Sequence, residues 1–405
     1  MNPSQAESGT TVPARRSRSP LLPIFLVVAV DVLGMTLILP LLPFYTERLG
    51  ASPTVVGALI SVYALCQLVA GPFLGRLSDR MGRRPVLLAS QIGTFIGFIV
   101  LAISNQIWLI FLSRMIDGGT AGNLTIAQAY ISDVTKPENR AKSFAIIGIA
   151  FGFGFMVGPG ISGYLASFNY VYPIIAAAAL SATSILCTYF LLPRHEPAHE
   201  ANQENPGPGG RRLALIEWGA YKKFFVDRKI RRLLLQWFLF AFSFSTFISE
   251  FALFAERRYS WHGRPFGVQE VGYVFAFMGL LGIIMQGGMV GRMVKWFGER
   301  KLVRIGFLTS AIGYAATGFT YHLGGLLGVM AFSSIGGSGL RPALTSIITQ
   351  QADRREQGVV IGLTQSLTSI AQIGAPLIAG AMITHHLLTL WAVWAGFVAF
   401  LALFV

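Results

Sequence analysis

The stretch Gly75-Arg76-Leu77-Ser78-Asp79-Arg80-Met81-Gly82-Arg83-Arg84-Pro85 is a short polar segment between two long apolar runs. A weaker copy, Gly291-Arg292-Met293-Val294-Lys295-Trp296-Phe297-Gly298-Glu299-Arg300-Lys301, occurs in the second half of the chain. Both copies keep two glycines at the same spacing, with Arg directly after the first glycine and basic residues after the second. This pattern predicts a membrane protein with an internal duplication, and it places both polar loops on the cytoplasmic face.

The composition of the 405-residue chain agrees with a membrane protein. It is 53% hydrophobic and only 12% charged, whereas a soluble domain carries about a quarter charged residues. Apolar runs of about 18–25 residues recur along the chain, each long enough to cross a bilayer as a helix. We therefore predict an all-α membrane protein with twelve transmembrane helices, at 21–44, 54–74, 86–104, 107–130, 143–165, 171–193, 232–254, 269–290, 302–320, 324–348, 359–383 and 387–405.

The basic residues predict how these spans are oriented. If the N-terminus is placed inside, the large majority of the 32 Lys and Arg residues fall in loops on that same side, which the positive-inside rule assigns to the cytoplasm. Both termini are therefore predicted to be cytoplasmic. The net charge of +14 then reflects membrane orientation, and we expect a lipid bilayer and no nucleic acid as partner. The predicted location is the inner (plasma) membrane of a bacterium, as a multi-pass protein.

The chain divides into two halves around one long polar linker. We expect a disordered cytoplasmic tail at 1–20, a six-helix half at 21–193, a cytoplasmic linker at 194–231 and a second six-helix half at 232–405. Within the linker, 213–225 could form a short amphipathic helix on the inner leaflet. Further glycine landmarks repeat at nearly one common offset, which strengthens the duplication. Two six-helix halves in parallel orientation are the plan on which many alternating-access transporters are built.

These features resemble the major facilitator superfamily, and within it the proton-driven drug antiporters of the tetracycline-resistance type. The 75–85 segment is close to the signature between spans two and three of that family. The segment from Asp31 to Pro40 resembles the first-helix motif, and Arg114 with Gly118 and Gly119 resembles the fourth-helix motif. The glycine pattern of span five resembles the fifth-helix signature typical of antiporters; it comprises Gly148, Gly152, Gly154, Gly158, Pro159 and Gly163.

Ionisable residues inside predicted spans are candidates for proton coupling. A charge at mid-bilayer is costly, so such residues usually face the bundle interior and serve function. Asp31 in span one and Arg114 in span four are expected at similar depth, and Arg114 and Asp117 share one helix face at i, i+3. We predict that Asp31 and Asp117 exchange a proton during transport, with Arg114 controlling their protonation. The alternative is that Arg114 and Asp117 form only a structural salt bridge.

The polar loop itself is a candidate conformational latch. The family resemblance implies that Asp79 contacts the start of span eleven and that Arg83 contacts Asp133, which would hold the cytoplasmic side shut when the protein opens outward. The latch residues predicted are Gly75, Asp79, Arg80, Gly82, Arg83 and Asp133. In the second copy the acidic position is Lys295, so that loop cannot make the same contact. The alternative is a plain positive-inside anchor.

Substrate contacts are expected from polar residues within the spans. The predicted set is Gln67, Asn123, Glu250, Gln286 and Arg341. For Glu250 the alternative is that it only reaches interfacial water, and for Arg341 that it is a counter-charge for one of the acids. A mostly apolar pocket with a few polar groups suits a bulky amphiphilic compound. The small residues Gly154, Gly158, Pro159 and Gly163 are expected to allow close helix packing. This is either generic packing or, in addition, a contact of span five with span eight that leaves no leak path.

We therefore predict a secondary transporter that exports a small amphiphilic compound or drug in exchange for protons by alternating access. One alternative is a proton symporter or facilitator for a metabolite such as a sugar or organic anion, and a second is a non-transporting, receptor-like membrane protein. The sequence has no GxxxxGK[ST] loop, so ATP is not expected to supply the energy. We expect no enzyme activity, no cofactor and no metal, and a monomer that binds a small molecule and protons.

Overall fold

The computed structural model describes residues 21–135, 140–192, 224, 226–351 and 357–405. The predicted tail at 1–20, most of the linker at 194–231 and the amphipathic helix at 213–225 therefore lie largely outside the described residues. In the described part almost every residue is helical. The first half contains α1 (Leu21–Ile38), α2 (Leu41–Arg48), α3 (Pro53–Met81), α4 (Arg83–Ala102), α5 (Ile107–Gly119), α6 (Asn123–Val134), α7 (Arg140–Ala166) and α8 (Val171–Leu191).

The second half has a similar order of helices. Its elements are α9 (Arg228–Arg258), a short hairpin of β1 (Ser260–Trp261) and β2 (Arg264–Pro265), α10 (Val268–Ile284), a π-helical turn (Met285–Met289), α11 (Val290–Phe297), α12 (Glu299–Thr317), α13 (Leu323–Gly337), α14 (Leu340–Gln351), α15 (Gln357–Thr384) and α16 (Leu388–Leu401). The antiparallel hairpin pairs Ser260 with Pro265 and Trp261 with Arg264.

The long helices fit a membrane-spanning protein. Within the described segments, eight helices are long and apolar enough to cross a bilayer, or nine if a bent pair counts as one span. That pair is 23–38 with α2, bent by 40°, so predicted span one is not a continuous helix. Pro40 lies at the break, where its missing N–H group cannot continue the helical ladder. Predicted span four is likewise divided, into α5 and α6, at Thr120–Gly122.

Both copies of the polar loop turn at a glycine that needs its conformational freedom. Gly82 has φ +92° and separates α3 from α4, and Gly298 has φ +75° and separates α11 from α12. Residues with side chains rarely adopt this region of φ. The two loops therefore share one backbone geometry at equivalent positions, which supports the predicted duplication.

The apolar core shows how the two halves are arranged. One cluster takes residues from both halves, including Phe44 and Val56 from the first and Phe251 and Trp391 from the second. Two further clusters each belong to one half alone, one around Val86 and one around Leu302, Leu340, Ile347 and their neighbours. The halves therefore share a core at one end of the bundle and have separate cores at the other. We call the shared end the sealed end, and the end that carries the 75–85 and 291–301 loops the loop end.

The glycines of α3 and α15, which meet at the junction of the halves, also show that the halves move apart towards the loop end. A Cβ atom added at Gly57 of α3 would collide with the backbone of Pro376 in α15, and one added at Gly380 of α15 would collide with Pro53. Towards the loop end of the same two helices, a Cβ at Gly71 or Gly362 would meet no described atom within 4 Å. The helices therefore touch backbone to backbone at the sealed end and separate towards the loop end.

Hydrogen bonds also join the halves at the sealed end. The Thr54 amide donates to the Thr384 hydroxyl at 3.1 Å, and the two Thr hydroxyls lie 2.8 Å apart. The Ser61 hydroxyl donates to the Ile373 carbonyl at 2.7 Å. These bonds fix the register of α3 against α15.

The small residues of span five divide between two neighbours. Gly163 and Pro159 pack against the start of α10 at Gln269 and Gly272, as expected for contact with span eight. Gly154 and Gly158 instead face Val32 and Thr36 of α1, and the Thr36 hydroxyl donates to the Gly154 carbonyl at 2.9 Å. All four residues therefore lie at close helix contacts, two against span eight and two against span one, because a helix with small residues on two faces can approach two helices.

The close approach at Gly272 predicts a specific sensitivity. Gly272→Ala should weaken closure of the sealed end, because its Cβ would collide with the Pro159 carbonyl of the other half, and overpacking of this kind typically costs about 1–3 kcal/mol. Thermal unfolding in detergent, with accessibility of a cysteine placed at Thr384, measures the effect. Gly282→Ala on the same helix is the matched control, since no described atom lies within 4 Å of the added carbon. Equal behaviour of the two variants would contradict the packing argument.

Candidate functional site

A cavity of about 350 Å³ lies between the two halves. Most of its wall is apolar or aromatic, and both halves contribute to it. The apolar lining includes Met35, Ile60, Phe98, Phe151, Phe155, Phe244 and Ile248. The polar lining is concentrated in the first half and includes Asp31, Gln67, Thr94, Arg114, Asp117 and Asn123. The second half adds Ser245, Ser249 and Gln372.

Arg114 and Asp117 form an ion pair in the cavity wall. Arg114 Nη1 lies 3.3 Å from Asp117 Oδ2, and the two side chains are only 8% and 10% exposed. Arg114 Nη2 also donates to the Ser113 hydroxyl at 3.2 Å, and Thr94 faces the Asp117 carboxyl from α4. The guanidinium is incompletely satisfied, because its Nε is buried without a hydrogen-bond partner. The predicted pairing along one helix face is present.

Asp31 lines the same cavity and lies among hydrogen-bonding side chains. Ser184, Gln91 and Asn123 face its carboxyl, and Asp117 is near enough for electrostatic repulsion. Gln91 Nε2 donates to the Ser184 hydroxyl at 2.7 Å. The side-chain oxygens of Gln91 and Asn123 are buried without a hydrogen-bond donor. A neutral Asp31 carries one O–H donor, and an ionised Asp31 carries none, so these acceptors are better satisfied when Asp31 holds a proton.

The structure thus brings Asp31, Arg114 and Asp117 to one wall, with Gln67 and Asn123 beside them. The other three predicted contacts are not among the cavity-lining residues. Glu250 is completely buried, Gln286 is exposed on the π-helical turn, and Arg341 is exposed at the start of α14. The sequence predicted how deep these three residues lie in their spans, but it did not predict whether their face of the helix points to the cavity.

Gln91 and Ser184 are site residues that the sequence reasoning missed. They do not touch the cavity, but they hold the carboxyl of Asp31 from behind. The available signal was the presence of these polar side chains inside two otherwise apolar runs, because an uncharged polar group in such a run usually bonds to a neighbouring helix.

At the loop end, Arg83 connects the polar loop to α6. Its Nε donates to Asp133 Oδ2 at 2.8 Å and its Nη1 to Asp79 Oδ1 at 2.5 Å. Nη1 also donates to the Ser78 hydroxyl at 2.8 Å. The Asp79 side chain is 60% exposed in this arrangement. The approach to span eleven is only partly described, because residues 352–356 lie outside the described residues.

The fold and the site define an integral membrane protein whose two helical halves enclose a cavity with buried charges. The family model of the Major Facilitator Superfamily matches residues 24–299 and 287–405, and the chain belongs to that superfamily of transporters. Membership confirms the predicted multi-pass location in the inner (plasma) membrane.

Curated relatives include resistance proteins of bacteria. The chain is 30% identical to tetracycline resistance protein class C of Escherichia coli over 373 residues, which is 91% of this chain and 90% of the relative. It is 25% identical to multidrug resistance protein 2 of Bacillus subtilis over 88% of this chain and 86% of the relative. Among solved structures, the human organic anion transporter MFSD10 (TETRAN) has a TM-score of 0.71 at 24% identity, covering 96% of this chain and 98% of that chain. This last likeness supports the fold.

A double-mutant cycle tests the buried ion pair. Arg114→Gln should lower the thermal stability strongly, because loss of one partner leaves an uncompensated carboxylate; for a buried pair this costs on the order of 3 kcal/mol. Arg114→Gln/Asp117→Asn should recover much of that loss, since the double variant buries no net charge. Thermal unfolding of the purified proteins in one detergent gives the four values of the cycle. Additive losses would show that the pair contributes no coupling.

Proposed function

We propose that the chain is a proton-coupled efflux antiporter that exports a small amphiphilic compound by alternating access. The observation that carries the proposal is a cavity between two halves that has carboxylates in its wall and is closed at one end only. Twelve spans follow if α1–α2, α5–α6, α10–α11 and α13–α14 each cross once as broken helices. Both termini are then cytoplasmic, and one chain supplies both walls, which favours a monomer.

The orientation proposed from the basic loops places the loop end on the cytoplasmic side. The sealed end is then the outer end, and the cavity is open to the cytoplasm. In this state an amphiphilic compound can enter from the cytoplasm or the inner leaflet. The counterpart state would open the sealed end and close the loop end around the same cavity.

Coupling can arise because the proton and the substrate use the same wall. A proton on Asp31 can satisfy one of the two unbonded acceptors of Gln91 and Asn123, whereas a cationic substrate group near Asp31 favours the ionised form. Arg114 compensates the negative charge of Asp117. Asp31, by contrast, has no cation among the described groups that act on it. The proton and the substrate therefore compete for the carboxylate of Asp31. Such competition is the condition for exchanging a proton against a substrate.

The shape of the cavity favours an amphiphilic substrate. Phe151 and Phe155 of α7 and Phe244 of α9 line it, so aromatic and apolar surface surrounds a few polar groups. Such sites accept flat or bulky apolar molecules that carry one polar group. The relatives named for tetracycline and multidrug resistance have the same family membership, and we propose a drug-like substrate on both grounds.

Proteoliposome transport with an imposed pH gradient tests the proposal. A gradient that drives protons into the cytoplasmic side should drive drug export, and Asp31→Asn or Asp117→Asn should abolish the driven component, because the amide cannot exchange a proton. Tetracyclines, quinolones and organic cations are the compounds to assay. Asp227→Asn is the control, since Asn caps a helix as well as Asp and Asp227 caps α9 on the surface.

The directions of the fluxes decide between the alternatives. Substrate moving with the protons would replace antiport by symport, and transport without any response to the gradient would indicate a facilitator. Wild-type rates in both carboxylate variants would remove Asp31 and Asp117 from coupling. The absence of flux and binding for every compound would favour a receptor-like protein.

The latch proposal makes a separate prediction about the loop end. If Asp79 helps to close this end in the opposite state, Asp79→Asn should shift the population towards the present arrangement, in which Asp79 is largely exposed. Spin labels at Met81 and Trp296, both exposed and on opposite halves, measure the distance across the loop end. Asp79→Asn should deplete the shorter distances seen in the wild type, with Asp227→Asn unchanged. Unaltered distances would leave the loop as a positive-inside anchor.

A further inference from the structure

Glu250 is a buried carboxyl that the transport cavity does not use. It lies near the outer third of α9, is 0% exposed, and both of its carboxyl oxygens lack a hydrogen-bond partner among the described residues. Aromatic side chains of the shared core surround this part of α9, with Phe251 and Phe275 at 5.3 Å between ring centroids and Phe254 and Trp391 at 4.8 Å. An ionised carboxylate in such surroundings without a bonded partner is very unfavourable.

Charged side chains from both halves lie near Glu250 at the junction of the halves. Glu47 of α2 and Arg257 of α9 are the charged groups that act on it. Arg257 Nη2 bonds Glu47 Oε1 at 2.5 Å, and Arg257 Nη1 lies 3.5 Å from Glu256 Oε2. Glu47 and Glu256 also meet carboxyl to carboxyl. Two carboxyls can share a hydrogen bond only when one of them carries a proton.

The cations around Glu250, Glu47 and Glu256 are fewer than these carboxyls. Arg257 is one cation for three carboxyls, and the neighbouring Arg258 is directed away, donating to the Gly318 carbonyl and the Thr389 hydroxyl. Near Glu256, the groups on the adjoining elements are Tyr170, Arg48 and Glu270. Arg48 lies over the ring of Tyr170 at 4.4 Å, and Glu270 accepts from the Gly267 amide at the start of α10. Carboxyls outnumber cations here even when Arg48 is included, and this excess favours bound protons in the sealed arrangement.

We propose that Glu250, Glu47 and Glu256 form a second proton-binding site, separate from the cavity carboxylates, and that protonation of this site closes the sealed end. Glu47 belongs to the first half and the other two to the second, so the site is complete only when the halves meet. Opening of the sealed end would bring water to Glu250, which could then lose its proton to that side. Proton binding from the same side would allow closure again. This inference rests on the proposed alternating access.

The test measures opening of the sealed end instead of transport. Spin labels at Asn105 and His322, both exposed and on opposite halves, report the distance in nanodiscs at equal pH on both sides, with Cys66 and Cys187 replaced by Ala. Asp31→Asn/Asp117→Asn is the background, so that titration of the cavity cannot produce the signal. Raising the pH should move the population from short to long distances in this background.

Glu250→Gln should remove most of that pH response and keep the short distance, because the amide is a permanent neutral mimic of the protonated acid. Asp227→Asn should retain the full response. A wild-type response in Glu250→Gln would overturn the proposal. Distances that do not depend on pH in the background protein would also overturn it, and that measurement does not require Glu250→Gln to fold. Failure of drug transport with an intact pH response would instead count against the proposed function alone.

Discussion

Contact between helix backbones at the sealed end is the interaction on which the rest of the structure depends. In a bilayer the lipid is as apolar as the side chains, so helices associate through close packing and hydrogen bonds. Gly57 and Gly380 allow α3 and α15 to touch, and Gly163 and Gly272 do the same for α7 and α10. α3 and α15 separate towards the loop end, whereas α7 and α10 stay in contact as far as Gly152 and Ile283. The cavity lies between the two halves.

This geometry gives the buried acids two different environments. Asp31 and Asp117 lie where the helices begin to separate, so they face a cavity, hydrogen-bonding side chains and Arg114. Glu250 lies where the helices are in contact, so it is fully buried, and its carboxyl oxygens have no hydrogen-bond partner in the part of the chain that the structure describes. A carboxyl at the first position can exchange its proton while the loop end is open. A carboxyl at the second can do so only after the halves part.

Much of the helical architecture could be predicted because apolar run length and basic loops report directly on the bilayer. The break at Pro40 was not predicted, because the apolar run continues across it. The break at Thr120–Gly122 falls in a glycine-rich stretch, and glycines of this kind are also common inside continuous membrane helices. The convergence of Asp31, Arg114 and Asp117 was predictable, since charges inside a membrane must face one another or a cavity. The position of Glu250 was not, because aromatic and hydroxyl side chains alternate around it on α9, and this mixture does not indicate which face meets the other half.

The 75–85 and 291–301 loops, which first indicated the duplication, differ in sequence but make equivalent contacts within their own halves. The second loop lacks the acid of Asp79, yet its Glu299 follows Gly298 as Arg83 follows Gly82. Arg83 bonds Asp133 at the end of α6, and Glu299 accepts from the Ser346 hydroxyl at 2.6 Å and from the Gln350 amide on α14. The helices α6 and α14 hold equivalent places in the two halves. Each loop is therefore tied to the equivalent neighbour in its own half, the first by a cation and the second by an anion. Asp79 of the first loop pairs with Arg83 while its side chain stays 60% exposed, and the second loop has Lys295 at that position.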